Sequence, residues 1–435
     1  MSGRAHLRLA AQDGRRSGLR VAAITRLATQ NAGNAALSHC LIDLLSRHPA
    51  VEDLRTVDRY PRRLEAWRLG AAPERRFAAG EAWLARAARR APAAAAAAAA
   101  QAGQPIRPQL DASGRELPGL VRALKRRIGL RRNLARFGLI EAADFHRVLA
   151  DIAWADLVVW NPAGEIHPGG DSDAVFRLLL MVRLAQRLGK RTAIVNHSLE
   201  LEDARLWPVL SQVYGAADLV LVRDAGSRDV AQSLGVAPDR LEEAPDLVFS
   251  WPPSVPPRPL APDAPIGLAL NGVIAAPDDP EWERLVQGLA GLGRKLVFVS
   301  NAMNHDAPLA ARLARHAPIQ VIHGQPGPHA LADLYGGMAA VVSSRLHAAI
   351  LAIAAGAPVI TLEPQVFKLT GVLQQMDYPF SALGLTQPGW SEAAVARVRR
   401  ALDQRAEVSR LGLEGLARQA ARIERAYGRL SSLQG

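Results

Sequence analysis

Short apolar runs recur along the chain, each followed by a turn signal and then by a stretch with helical spacing. Leu19–Thr25 (LRVAAIT) reads as a strand, Asn31 to Asn34 as a Gly/Asn turn, and Ala35–Ser46 as a helix. The alternation resumes at residue 151. Strands are predicted at Asp156–Trp160, Arg191–Asn196 and Leu219–Arg223, with helices at Asp173–Leu188, Ala204–Tyr214 and Ser227–Leu234. Gly189 and Gly235 follow two of these helices as C-terminal stop signals. Asp246–Phe249 then leads into a proline-rich stretch from Pro252 to Pro265.

A second series follows. Strands are predicted at Ile266–Leu270, Lys295–Ser300, Ile319–Ile322, Ala339–Ser343 and Pro358–Leu362, with helices at Glu281–Leu292, Ala307–His316, Ala330–Tyr335 and Leu346–Ala355. Strands alternating with helices imply parallel sheets covered on both faces. The expected organisation is a basic, disordered tail at 1–18, an N-terminal α/β domain at 19–251, a linker at 252–265, a C-terminal α/β domain at 266–390 and a helical brace at 391–435. At 435 residues, two domains are the natural expectation. Each should have its own α/β core, the two facing one cleft.

Residues 60–135 break the alternation. They hold clustered arginines, the alanine tract Ala93–Ala100 and the Gly-Gln-Pro-Ile-Arg-Pro stretch at 103–108, and read as an insertion, partly helical and partly loose. The net charge of +12 comes from the N-terminal third of the chain: residues 1–150 hold 27 Lys and Arg against 12 Asp and Glu. Val121–Phe137 reads either as a basic amphipathic helix on an anionic membrane surface or as an ordinary solvated helix. No aromatics interleave with the basic residues and no recognition motif accompanies them, so nucleic acid is not an expected partner. No apolar run approaches the roughly 20 residues that span a bilayer. The single cysteine, Cys40, reads as a small core residue. A chain with one thiol and no secretory pattern is expected in the cytoplasm, with peripheral contact at the inner face of the membrane through residues 121–137.

Four segments carry candidate chemistry. Ser343-Ser344-Arg345-Leu346-His347-Ala348 lies where a strand ends and a helix begins. The amides of a first helical turn suit an anion, Arg345 can hold a phosphate or carboxylate with two parallel bonds, and His347 can move a proton near neutral pH. Arg223-Asp224, with Ser227 beyond, occupies a similar strand end; Ser227 could cap the helix and Asp224 could orient Arg223. Asn161 to His167 forms a turn in which Gly164 permits close backbone approach and Glu165 could accept hydrogen bonds from sugar hydroxyls. Lys368, after the Pro358–Leu362 strand, adds a second cation near Arg345. No metal-ligand spacing such as His-x-x-x-His occurs.

In this order the segments resemble the polysaccharide pyruvyl transferase family. The resemblance rests on the Asn31–Asn34 turn, the Asn161–His167 turn, Arg223-Asp224 with Ser227, Leu234-Gly235, Pro245-Asp246, Ser344 to Ala348, Gly356 with Pro358, and Lys368. The Asn161–His167 turn and the 60–135 insertion depart from the family pattern. The resemblance implies an α/β fold of two Rossmann-like domains facing a central cleft, similar to the glycosyltransferase-B architecture. It implies transfer of an enolpyruvyl unit from phosphoenolpyruvate to a sugar, lipid-linked or within a polysaccharide, with closure of a ketal and loss of phosphate. His347 is then the expected acid, and Arg223, Arg345 and Lys368 the donor-binding cations. Asn161, Gly164, Glu165, His167, Asp224 and Ser344 bind the acceptor or shape the site. Neither metal nor cofactor is expected. The alternative reading is a nucleotide-sugar-dependent glycosyltransferase of the same twin-Rossmann type; a third is a non-enzymatic partner in polysaccharide assembly.

Overall fold

The computed structural model describes residues 18–27, 29, 31–102, 145–167, 169–254, 260–274, 279–301, 303–322, 327–364 and 368–434, except the side chains of 62, 90–102, 303, 304 and 368. Two parallel sheets organise them. The first is built from β1 (Leu19–Thr25), β2 (Val51–Asp58), β3 (Leu157–Trp160), β4 (Arg191–His197), β5 (Leu219–Val222) and β6 (Leu241–Glu243), in the order β2-β1-β3-β4-β5-β6. The second contains β7 (Ile266–Ala269), β8 (Leu296–Val299), β9 (Ile319–Ile322), β10 (Ala340–Ser343), β11 (Val359–Glu363) and β12 (Leu383–Gly384), in the order β12-β11-β10-β7-β8-β9.

Both orders reverse direction once. The reversal lies between β1 and β3 in the first sheet and between β7 and β10 in the second, where the pairings run Val21↔Leu157 and Ala340↔Ile266. Crossovers leave to opposite faces at such a point, so a crevice opens beyond the carboxyl ends of the two strands. The loops after β1, β3, β7 and β10 are therefore the places where this topology can hold a ligand.

Helices cover both faces. In chain order they are α1 (Ala32–Arg47), α2 (Pro73–Ala102), α3 (described over 145–154), α4 (Ser172–Arg187), α5 (Trp207–Tyr214), α6 (Ala225–Ser233), α7 (Glu281–Ala290), α8 (Met303–Leu313), α9 (Pro328–Gly336), α10 (Leu346–Ala354), α11 (Lys368–Gln375), α12 (Trp390–Asp403) and α13 (Arg405–Gly428). Alternate residues of the first sheet point into different apolar interiors. Ala22, Ile24, Val158 and Trp160 join Phe77 of α2 and Phe176 of α4 on the outer side. Val21, Ala23, Leu157 and Val159 join α1 in an interior that runs on without a break into the second domain. The two sheets are distinct, as expected, and the inner side of the first packs against the second domain in one continuous apolar cluster. Ala348 to Ala354 on α10 are all buried, so this helix is apolar on every side and fills the seam.

α13 fastens the halves together. Ser409 donates to the Gly356 carbonyl of the second domain at 2.8 Å, and Tyr427 at the far end presents its carbonyl to His48 of the first at 3.1 Å. Gly412 and Gly415 let the helix lie directly on Tyr378 and Met376: a β-carbon at Gly415 would sit 2.5 Å from the Met376 carbonyl oxygen.

β2 was not expected. It is an edge strand with most of its side chains exposed, so Glu52, Asp53 and Arg55 mask the apolar pattern. The insertion is helical in part, as expected, and its residues 103–135 lie outside the described residues. From Pro73 to Ala102 it forms one 30-residue helix, α2, packed on α4 through a Phe77–Phe176 edge contact of 5.6 Å. The tail at 1–17 and the basic stretch at 121–137 lie outside the described residues. Among the described residues, no helix is long and apolar enough to cross a membrane.

Candidate active site at the interdomain cleft

The switch points of the two sheets face each other. From the second sheet, β7 leads to Asn271 and β10 leads to Ser344, Arg345 and α10. From the first, β1 leads to Asn31 and Gly33 at the start of α1. These residues, with Asn301 beyond β8, line a cavity of about 190 Å³. The Ala32 N–H donates to the Asn301 carbonyl at 3.2 Å and bridges the domains directly.

Asn31 caps α1: its side-chain oxygen accepts from the amides of Gly33 (2.9 Å) and Asn34 (3.3 Å). α10 has no such cap. Arg345 occupies its N-cap position in extended conformation and offers no side-chain acceptor to the first-turn N–H groups. Those amides, at the positive end of a buried helix, border the cavity.

Two of the cations expected in the site, Arg345 and Arg223, are each held by a buried carboxylate. Arg345 Nη2 bonds Asp306 Oδ1 and also donates to Asn271 Oδ1 at 3.2 Å. Asp306, on α8, is fully buried and also accepts from Ser300 Oγ and the Asn301 amide. Arg345 Nε is buried without a partner among the described residues. Arg223 Nη1 donates to Asp246 Oδ2 at 2.6 Å, and its Nη2 reaches the Ala163 carbonyl and Ser198 Oγ, each at 3.4 Å. His347 Nε2 lies 3.4 Å from the same Asp246 oxygen, close enough for charge interaction but outside good hydrogen-bond geometry. Asp246 is thus shared by one residue from each domain. Burial alone would raise its pKa, but His347, Arg223 and the Val248 N–H hold it below the ordinary carboxylate range.

Several expectations about individual side chains are corrected. Asp224, not Ser227, caps α6, accepting from the Ser227 amide at 2.8 Å; Ser227 Oγ instead accepts from the Leu199 amide. Asp224 also takes the Ser198 hydroxyl at 2.7 Å, so Arg223 is held by Asp246 and not by Asp224. Glu165 is engaged on both oxygens by Arg26 and Arg59, each at 2.9 Å, which leaves it poorly placed to receive a hydroxyl. A β-carbon at Gly164 would meet nothing within 4 Å, so that glycine permits no close approach; the left-handed residue in the turn is Ala163 (φ 52°). Asn161 is buried and spends its amide on Thr25 Oγ1 and the Ala163 N–H. Ser344 Oγ accepts from the Asn271 amide and fixes the β7 loop against β10. Lys368 opens α11; its side chain lies outside the described residues.

His167 and Glu165 border a second cavity, of about 210 Å³, beyond the ends of β3 and β4. Ser172, Glu200, Glu202 and Asp203 line it too. Arg223 joins this region to the cleft through its contact with the Ala163 carbonyl. Cys40 is a buried core residue, its thiol pushed up to about 12 chiefly by burial, so it supplies no nucleophile. Asp306, Asn271 and Asn301 were not singled out from the sequence. Asp246 was noted only as half of a Pro-Asp pair, and that pair was its one available signal.

The family model for polysaccharide pyruvyl transferase matches residues 31–365, which include Arg223, Asp246, Asp306, Arg345 and His347 but not Lys368. The chain belongs to the polysaccharide pyruvyl transferase family. It is an enzyme, a transferase of polysaccharide biosynthesis. Among solved structures, trehalose-6-phosphate synthase OtsA superimposes with a TM-score of 0.51 at 11% identity, over 95% of this chain and 99% of that one. This likeness shows the fold: the twin-Rossmann glycosyltransferase-B architecture. S. aureus MnaA with UDP (TM-score 0.46, 11% identity, 95% of this chain and 94% of that one) and Anabaena HepE with UDP-glucose (TM-score 0.48, 12% identity, 95% and 100%) are also similar. A search of curated proteins finds no match.

Proposed function

We propose that this pyruvyl transferase takes phosphoenolpyruvate as donor and builds a pyruvate ketal on a sugar acceptor. The observation that carries the reading is the uncapped N-terminus of α10, bordered by Arg345 and His347 at a cleft between two switch points. The donor's phosphate and carboxylate need several positive groups within a few ångströms, and a free helix N-terminus beside arginines supplies them without a metal.

In the proposed reaction His347 protonates the methylene carbon of the donor. The adjacent carbon becomes electrophilic, and a sugar hydroxyl adds to it. Loss of phosphate then lets a second hydroxyl of the same sugar add, which closes the ketal. Of the two hydroxyl protons released, one restores the imidazolium and the other leaves with phosphate, so the balance needs no further reactant. Arg345, Arg223 and Lys368 hold the donor's charges, and Asp246 anchors His347. The acceptor occupies the cavity beside His167, where Ser172 and the carboxylates of Glu200 and Glu202 offer partners for hydroxyl groups; Asn161 and Gly164 shape the turn above it. Residues 121–137 hold the enzyme at an anionic membrane surface, where lipid-linked acceptors are presented.

The test is phosphate release from phosphoenolpyruvate in the presence of a panel of sugar and lipid-linked acceptors, with product mass as the second readout. The product should gain the mass of pyruvate less water. Turnover with nucleotide sugars and none with phosphoenolpyruvate would replace this reading with glycosyl transfer.

A further inference from the structure

Gly33 stands where a glycine is costly. It is the second residue of α1, and its backbone is ordinary right-handed helix, since it is not among the residues with positive φ. Alanine would favour the helix at such a position, so conformational freedom does not account for glycine here. Space does. A β-carbon at Gly33 would lie 2.3 Å from His347 Nδ1, 2.9 Å from its Cγ and 3.0 Å from its Cβ. The imidazole is seated in the notch that the missing side chain leaves.

The other side of the ring is also held by the first domain, through Asp246 at Nε2. α1 and the Asp246 segment belong to the first domain, whereas His347 belongs to the second. Groups from across the cleft therefore lie beside both ring nitrogens, Gly33 at Nδ1 and Asp246 at Nε2. The seam beneath it is apolar and continuous, with Ala36, Leu37 and Leu41 of α1 in the same buried cluster as Ala348 and Leu351 of α10. An interface of that kind resists the shift that an added methyl group would demand. The ring, not the seam, is the part free to move.

We infer that Gly33 is a positioning residue for His347: the absent side chain sets the orientation of the imidazole against Asp246. This rests on the reading of His347 as the acid, and its test separates the two. Gly33→Ala should leave the unfolding midpoint unchanged or raised. In a His347→Ala background the same substitution should raise it by more, because the clash is gone. The imidazole resonances of His347 should move in Gly33→Ala. These measurements hold whatever the donor. In turnover, Gly33→Ala should lower kcat by about tenfold or more, while KM for phosphoenolpyruvate stays within about twofold, since orientation matters most in the transition state. Unmoved His347 resonances, or equal stability changes in the two backgrounds, would overturn the inference. So would a displaced ring with normal kcat, which would make the contact purely structural. If the wild-type protein releases no phosphate from phosphoenolpyruvate, the proposed reaction fails, and the ring-position measurements still decide the role of Gly33.

Discussion

Replacing Asp246 with asparagine removes one charge from the centre of the site and almost nothing else. The carboxylate is 2% exposed and Arg223 11% exposed, so water cannot take over the lost interaction. In Asp246→Asn the guanidinium keeps only the Ala163 carbonyl and Ser198 Oγ, both at the long distance of 3.4 Å. Removing one partner of a buried ion pair costs roughly 3–5 kcal/mol. The amide can still accept from the Val248 N–H, which now bonds Oδ1 at 3.0 Å, so the lower end, about 3 kcal/mol, is expected. The pH dependence gives a second check. Asp246 titrates below its ordinary value in the folded protein, so its contribution is complete above the unfolded carboxylate value near 4 and is lost as pH falls through the folded value. The gap between wild type and variant in urea denaturation should therefore stay constant from about pH 8 to about pH 5 and narrow only in stronger acid. Turnover should fall as well, by up to the roughly 10²–10⁴-fold that a general acid contributes, because His347 loses its anchor. A variant within about 0.5 kcal/mol of wild type at neutral pH would show that the pair is not the buried counter-charge described here.

Three further outcomes are expected. His347→Ala should cut turnover by about 10²–10⁴-fold with little change in donor binding, whereas Arg345→Lys should weaken both, because a single ammonium cannot bond Asp306 and the donor together; normal turnover by a folded His347→Ala would show the histidine to be structural. His197 is buried, shares a 2.8 Å hydrogen bond with the Tyr214 hydroxyl, and is pushed down to about 3 by burial and by the charge of Arg223. The unfolded chain takes up that proton below about pH 6.5 while the folded one does not, so stability should fall by about 2 kcal/mol between neutral pH and pH 5; His197→Gln should remove this slope in denaturation curves, and an unchanged slope would place the acid sensitivity elsewhere. Flotation with anionic liposomes should drop when the seven basic residues of 121–137 become glutamine, at about 1 kcal/mol each near the surface; equal flotation would rule out this segment as the membrane contact.

The sequence by itself determined the alternation of strands and helices and the location of the main motif. Strands such as Leu157–Trp160 and Leu296–Val299 are buried on both faces and read as unbroken apolar runs, which need no partner to be recognised. Ser344-Arg345-Leu346-His347 could be placed at a strand-to-helix junction because the apolar run on each side marks it. The exposed edge strand β2 carried no such mark. Tertiary structure alone decided how the charges are paired. Arg345 meets Asp306 from α8, Glu165 is closed off by Arg26 and Arg59, and Asp246 of one domain serves both Arg223 and His347. It also decided why Gly33 is glycine, since the atom that fills its notch lies in the other domain. Local periodicity records which face of an element is buried. It holds no record of which distant loop the switch points of two sheets will bring opposite a given side chain, and in this protein that juxtaposition makes the site.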